Sequence, residues 1–218
     1  LVIATNAWTH TLKSSPKVVN VQAPVWTYQI ATEPLTREQW KGINWTDRMS
    51  IEDNRQLVHY TRITQCGRIT MGGGSIGVEY YDNKMALWKD EKTWSDLENH
   101  LKWMFPSLKN IKVDYKWGGC ISANMDMTPE IGFIGDSNII YATGCIGHGV
   151  SLTQLNGRTI ADLVLEKETS LTRFWIVNRK AIPVPPGKIL RFAGAKTIEG
   201  ILKTVDRYEE AGLKPRHV

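Results

Sequence analysis

The chemistry that this chain could carry starts from one short stretch, Gly144-Cys-Ile-Gly-His-Gly149. Glycines at 144, 147 and 149 let the backbone turn sharply and let a ligand approach the main chain with no Cβ in the way. His148 is the only histidine in a glycine-rich turn, and imidazole is the side chain whose charge changes nearest neutral pH. The preceding residues, Asn138-Ile-Ile-Tyr-Ala-Thr143, form a short apolar run suited to a buried strand. The following ones carry Leu152, Leu155, Ile160, Leu163 and Val164 at helical spacing. The stretch therefore reads as strand, turn and helix. The helix N-terminus presents unpaired N–H groups and partial positive charge to an anionic or electron-rich group. By spacing alone, a packing turn and a ligand seat account for it equally well, because a lone glycine-rich turn has low specificity.

Other reactive residues form no recognisable constellation. Cys66, Cys120 and Cys145 are odd in number and show no CxxC or Cys/His spacing. That pattern predicts reduced thiols and argues against a disulfide frame or a zinc site. No nucleophile triad, paired-carboxylate motif or metal-ligand motif is visible. The net charge of +5 is spread over scattered Lys and Arg, so a solvated surface is expected and a nucleic-acid stripe is not. No run approaches the ~20 apolar residues of a membrane span. The expected location is cytoplasmic.

The elements that must position these residues can be read from periodicity. Residues 1–5 read as a strand, and 17–32 as one long or two short strands interrupted near Pro24. Residues 36–42 read as a short helix capped by Thr36. Residues 57–64 and 68–73 read as paired strands, and Met71-Gly-Gly-Gly-Ser-Ile-Gly77 as the end of that hairpin. Lys92 to Phe105 reads as an amphipathic helix that places Trp94, Leu97, Leu101, Met104 and Phe105 on one face and stops at Pro106. Ile111, Val113, Tyr115 and Trp117 alternate like a strand buried on one face. Pro183, Pro185 and Pro186 mark an irregular passage. A last helix over 197–211 would carry Ile198, Ile201, Leu202, Val205 and Tyr208 on one side. Periodicity alone gives a mixed α and β chain.

Several of these segments occur in an order found in a known family. Gly144-Cys-Ile-Gly-His-Gly149 with Gly157-Arg-Thr-Ile-Ala-Asp162 resembles the C-terminal flavin-binding segment of the D-amino-acid oxidase superfamily. The likeness is to its sarcosine oxidase, glycine oxidase and gamma-glutamylputrescine oxidoreductase branch. Leu1-Val-Ile-Ala-Thr-Asn-Ala-Trp8, Thr32-Glu-Pro-Leu35, Tyr60-Thr-Arg-Ile-Thr64, Gly67-Arg-Ile-Thr-Met-Gly-Gly73, and Trp117-Gly-Gly119 leading to Asp126 and Pro129-Glu-Ile-Gly132 resemble further family segments. The resemblance implies a mixed α/β (α+β) fold. A substrate domain with a largely antiparallel sheet would be inserted between pieces of an FAD-binding domain. The implied division is 1–16 for the end of the first flavin segment, 17–116 for substrate binding and 117–218 for the return to the flavin domain. The family's opening GxGxxG unit, which holds the ADP half of the cofactor, is absent from these residues. The chain is therefore expected to be the C-terminal part of a longer flavoprotein, inactive alone.

The resemblance also implies roles. FAD would be contacted by Thr5, Asn6, Ala7, Gly118, Gly119, Gly144, Ile146, Gly147, His148, Gly149 and Val150. His148, near the flavin ring, would be the catalytic residue and would tune the charge of the reduced flavin. Tyr60 and Arg62 would face a small amine or amino-acid substrate. Sarcosine oxidases bond flavin through a cysteine, but Gly119 stands nearer that position and Cys120 is offset by one, so non-covalent FAD is expected. Cys145 would be a small packing residue. Cys120-Ile-Ser-Ala123 lacks the arginine that grips a substrate carboxylate in glycine oxidase-like members. Thr70 stands where sarcosine oxidases place an oxygen-activating lysine. The implied activity is oxidation of a C–N bond in an amine or N-substituted amino acid. Two other readings are open: a non-catalytic subunit paired with a flavin-bearing partner, and the flavin domain of a tRNA-modifying enzyme.

Overall fold

A computed structural model describes residues 1–12, 18, 20–45, 47–78, 87–135, 137–185 and 187–212. Lys17, the expected start of the long strand, and Pro186 lie outside the described residues. The strands are β1 (Val2–Ile3), β2 (Gln22–Thr32), β3 (Ile51–Glu52), β4 (His59–Ile63), β5 (Ile69–Gly73), β6 (Val113–Asn124), β7 (Glu130–Phe133) and β8 (Ile140–Thr143). The helices are α1 (Arg37–Ile43), α2 (Glu91–Met104), α3 (Gly149–Val164) and α4 (Lys188–Glu210), with 3-10 turns at Asn6–Thr11 and Pro106–Leu108. The fold is mixed α/β with largely antiparallel pairing, as expected.

The chain divides into two compact units, each assembled from three stretches. The first unit comprises Leu1–Val25, Glu79–Met85 and Cys120–Arg191, and the second Trp26–Val78, Ala86–Gly119 and Phe192–Val218. The first unit contains a three-stranded sheet in the order β1-β8-β7. β1 runs parallel to β8, with Val2 opposite Ile140, and β7 runs antiparallel to β8. Its core is Ile131, Ile140 and Ile176, joined by Ile160 and Leu163 of α3. The expected apolar stripe of α3 is turned: Leu155 and Val164 are 41% and 57% exposed, while Asn156 and Thr159 are buried. Thr159 can enter the interior because its hydroxyl donates to Leu155 O at 3.0 Å within the helix, so it brings no unpaired donor.

The five-stranded sheet has the order β3-β4-β5-β2-β6. β2 is one continuous strand. Pro24 does not break it, because the pairing with β5 runs over Gln29, Ile30 and Ala31, where the missing N–H of Pro24 is not needed. In the second unit, alternation along the strands puts His59, Thr61, Ile63, Ile69, Met71, Tyr28 and Ile30 on one buried face. α2 lies on this face: Trp94 meets Tyr28 edge-on at 6.4 Å, and His100 stacks on His59 at 3.9 Å. Asp90 caps α2 by accepting from Thr93 N at 3.0 Å. α1 begins with a full capping box between Thr36 and Gln39 and ends at Asn44 in the left-handed region.

Two sequence expectations fail in the second unit. Tyr115 and Trp117 are 56% and 38% exposed, because β6 ends the sheet and has a strand on one side only. The Arg68 guanidinium lies 5.0 Å over the Tyr115 ring and covers part of it. α4 starts nine residues earlier than 197 and does not bury the expected apolar side: Ile198, Ile201 and Tyr208 are each about half exposed. Its buried side chains are Glu199 and Asp206. Asp206 accepts from Gln56 N at 2.6 Å and Leu57 N at 3.2 Å. Glu199 accepts from Ser75, Lys196 and Lys203. Charge-assisted hydrogen bonds replace apolar packing here. Among the described residues, no helix is long and apolar enough to cross a membrane.

Candidate functional site

In the first unit two turns leave the same sheet edge. β1 and β8 are adjacent and parallel, so the chain emerges from their carboxyl ends at Thr5-Asn6-Ala7 and at Gly144. Open α/β sheets place ligands outside the carboxyl ends of parallel strands. Asn6 opens its turn at φ +47°, and its Oδ1 accepts from the Cys145 thiol at 3.3 Å. Six of the eleven expected flavin contacts are thus joined locally: Asn6, with Thr5 and Ala7 beside it, and Gly144, Ile146 and Gly147 around Cys145. The thiol of Cys145 is spent on this bond, consistent with a packing role.

The glycine turn is backbone-determined. Gly144 has φ +75°, and a Cβ there would lie 2.7 Å from Asn124 Cγ. Gly147 has φ +81° with nothing within 4 Å of a Cβ, so conformation alone demands glycine and the space above it is open. Ile146, at φ +47°, holds a left-handed conformation that is strained for a β-branched residue. Such a conformation persists only where the surroundings over-determine it. They do so through a buried neutral network: Ser122 Oγ donates to Gln22 Oε1 and accepts from Gly144 N at 2.9 Å. Ser122 O accepts from Ile146 N at 3.0 Å, and Gln22 Nε2 donates to Asn6 O at 3.1 Å. Asn124 Nδ2 donates to Thr128 O at 2.9 Å. Asn124 Oδ1 and Thr143 Oγ1 are buried with no hydrogen-bond partner among the described residues.

His148 stands at the N-cap of α3, exposed, with its N–H donating to Cys145 O at 2.8 Å and its ring bonded to no described residue. Val150, in the first turn of α3, is 94% exposed. The first-turn N–H groups of α3 therefore open on the side of the turn that carries His148. Nearby, Arg179 grips Asp126 with two nitrogens and also donates to Thr128 O and Pro129 O. The guanidinium holds the Asp126 carboxyl below its usual range. Burial raises the Glu130 carboxyl, although Tyr141 donates to it.

The other expected residues lie in the second unit. On β6 a Cβ at Gly118 would meet Trp88 O at 2.6 Å, so this glycine admits a close backbone approach, while nothing lies within 4 Å of a Cβ at Gly119. Cys120, the next residue of β6 and already part of the first unit, is half-buried and in no disulfide. Tyr60 and Arg62 share the sheet face opposite His59, together with Thr70, which pairs with Arg62. Gln29 and Tyr60 close over Gly72, Gln29 Nε2 donating to Tyr60 Oη at 3.4 Å. A cavity of about 720 Å³ in this unit is on the other side of the sheet and is lined by His59, His100, Trp103 and Asp206. Sequence reasoning passed over the cluster of Asp53, His59 and His100, two of which line this cavity. The available signal was spacing: His100 follows Leu97 by three on the apolar face of α2.

The paired turns lie at the carboxyl edge of parallel strands, where open α/β sheets seat ligands. The chain belongs to the FAD dependent oxidoreductase family, which its residues 1–163 match. It is 31% identical over 210 residues to "Probable oxidoreductase OrdL" of Haemophilus influenzae, covering 95% of this chain and 45% of that protein. It is 31% identical over 194 residues to gamma-glutamylputrescine oxidoreductase of Escherichia coli, covering 88% of this chain and 42% of that protein. The chain therefore spans less than half the length of these relatives. The fold is shared with L-proline dehydrogenase from P. horikoshii at 24% identity and a TM-score of 0.66, over 81% of this chain and 45% of that one. It is also shared with glycine oxidase from Geobacillus kaustophilus at 19% identity and a TM-score of 0.64, over 83% and 45% of the two chains.

Proposed function

We propose that this chain forms the flavin-contacting and substrate-facing parts of an enzyme that oxidises the C–N bond of an amine or N-substituted amino acid. The observation that carries the reading is the strained, over-determined turn Gly144–Gly149, at the carboxyl edge of parallel strands and at the N-terminus of a long helix. The residues fit FAD: Gly147 leaves open space where a side chain would stand, and the first-turn N–H groups of α3 suit an electron-rich ring edge. When bound, FAD supplies the two-electron acceptor that takes a hydride from the carbon beside nitrogen. The chain's own task is to bind and orient. Thr5, Asn6, Ala7, Gly144, Ile146, Gly147, Gly149 and Val150 would hold the cofactor through the main chain, with Gly118 and Gly119 contributing from β6. His148, whose ring is bonded to no described residue, would stabilise negative charge on it.

Tyr60 and Arg62 would bind substrate. Arg62 is exposed and pairs with no described acid, so its guanidinium is available to a substrate oxyanion. Attachment of FAD would be non-covalent, with acid precipitation releasing it. Gamma-glutamylputrescine oxidoreductase among the relatives supports an amine substrate, and Thr70 in the hairpin favours an acceptor other than oxygen. The test uses the polypeptide from the complete reading frame around residues 1–218. It should carry FAD that an amine substrate reduces in stopped flow, and His148→Ala should slow that reduction about tenfold or more with little change in substrate binding. A protein without FAD, or unchanged reduction in the variant, would remove the reading or the role of His148 respectively.

A further inference from the structure

On the sheet face away from Tyr60 and Arg62, three metal-competent side chains converge. His59 Nδ1 lies 2.7 Å from Asp53 Oδ2, and His100 Nε2 lies 3.3 Å from the same oxygen. All three ligand atoms fall within 4.8 Å of one another. His59 and His100 are 6% and 8% exposed, and the cavity of about 720 Å³ opens onto both. His100 Nε2 makes no hydrogen bond with any described residue. The acceptor beside it, Asp53 Oδ2, is already engaged by His59, and a buried ring nitrogen left in that state is costly, so packing alone is a poor account of it.

We propose that Asp53, His59 and His100 form a binding site for one zinc-like divalent cation. Imidazole and carboxylate ligands suit zinc and its neighbours, and suit calcium or magnesium poorly. Ligand atoms on a tetrahedral ion with bonds of about 2.0–2.1 Å stand about 3.3 Å apart. The Asp53–His100 pair already has this spacing. The Asp53–His59 pair must lengthen by roughly half an ångström, and the stacked rings must open, for the ion to lie in both imidazole planes. His59 would shift its proton from Nδ1 to Nε2, leaving Nδ1 free to bind. Neighbours already hold the donors in place: Asp53 Oδ1 accepts from Arg55 N and from His59 N at 2.8 Å, and Trp103 stacks on His100 at 5.2 Å. Three protein ligands leave a coordination position for water from the cavity. The ion would tie the loop at Asp53, strand β4 and helix α2 into one clamp.

The experiment is calorimetric titration of the full protein, stripped with chelator, with Zn²⁺, and with Ca²⁺ or Mg²⁺ as controls. One Zn²⁺ should bind per chain and raise the thermal midpoint, with no response to Ca²⁺ or Mg²⁺. Asp53→Asn and His100→Phe should each weaken binding at least tenfold, the loss that even an outer partner of a metal ligand costs. His100→Phe should also melt no lower than the wild type in chelator, because it removes the unpaired nitrogen. Should either variant fail to fold, nitrogen-15 spectra of the wild-type imidazoles decide, and both His59 and His100 must shift on adding Zn²⁺. Absence of binding, binding undiminished in a folded variant, or unshifted imidazoles would overturn the site.

Discussion

The buried polar groups beneath the Gly144–Gly149 turn are neutral, whereas those that seat helices α2 and α4 in the second unit are largely ionisable. Under the turn, Ser122 bonds Gln22 and Gly144 N, and Gln22 bonds Asn6 O, fixing a left-handed backbone against the buried Asn124. In the second unit, Asp206, Glu199 and Asp53 accept from backbone N–H groups, lysines and a histidine. The difference teaches what each arrangement is suited to. A neutral network holds one geometry without regard to pH and adds no net charge next to the proposed flavin site. A charged network binds more strongly per contact, and its strength depends on protonation.

The largest effect should come from the neutral side. Gly144→Ala places a Cβ against Asn124 at a φ that alanine resists, and roughly 2–4 kcal/mol of stability should be lost in urea unfolding, together with bound FAD. Normal stability in this variant would mean that the turn is not over-determined. Ser122→Ala leaves Gln22 Oε1 and Gly144 N unpaired inside the protein. It should cost about 1–3 kcal/mol, by the same amount at pH 5 and pH 8, since no titrating group is removed. A cost that varies with pH would erase the contrast between the regions.

On the charged side, Asp206→Asn keeps one acceptor oxygen for two backbone donors. A loss of about 1–2 kcal/mol is expected, with earlier exchange of the Gln56 and Leu57 amides than of β5 amides. The smallest effect at neutral pH should be Glu199→Gln, under about 1 kcal/mol, because its lysine partners are near 40% exposed. Its pH signature is the sharper test. Burial opposes ionisation of Glu199, but Lys196 and Lys203 outweigh it and bring the folded carboxyl to about 2, from 4.5. A depressed folded value means that the contribution is complete above 4.5 and is lost as pH falls from 4.5 towards 2. Glu199→Gln should flatten that part of the stability profile, and an unchanged slope would assign the acid sensitivity to other groups.

The strand, glycine turn and helix at 138–166 were legible because local spacing encodes them, and the capping box at Thr36 was legible for the same reason. The network under the turn was not, since Ser122 and Gln22 are 100 residues apart and neither belongs to a local motif. α4 misled because periodicity counts apolar residues. Its buried side is made by Glu199 and Asp206, whose burial depends on backbone donors at 56, 57 and 76 that no helical pattern records. His59 and His100 were overlooked on the same account: each sits at a core position by spacing but belongs to a residue type that spacing does not count.

The pairing of Val2 with Ile140 has a consequence for how the protein is made. A nascent chain exposes β1 long before its parallel partner leaves the ribosome. Joining ends this far apart carries a closure cost that grows only slowly with loop length, so the delay is mainly one of waiting for the partner to be synthesised. The second unit waits longer still, because Asp206 satisfies the amides of Gln56 and Leu57 from a helix 150 residues further along the chain than Gln56. Neither unit is whole before its final segment appears, so its strand edges must be held soluble in the meantime. Truncation after residue 191 would leave the first unit intact and the second without its clasp.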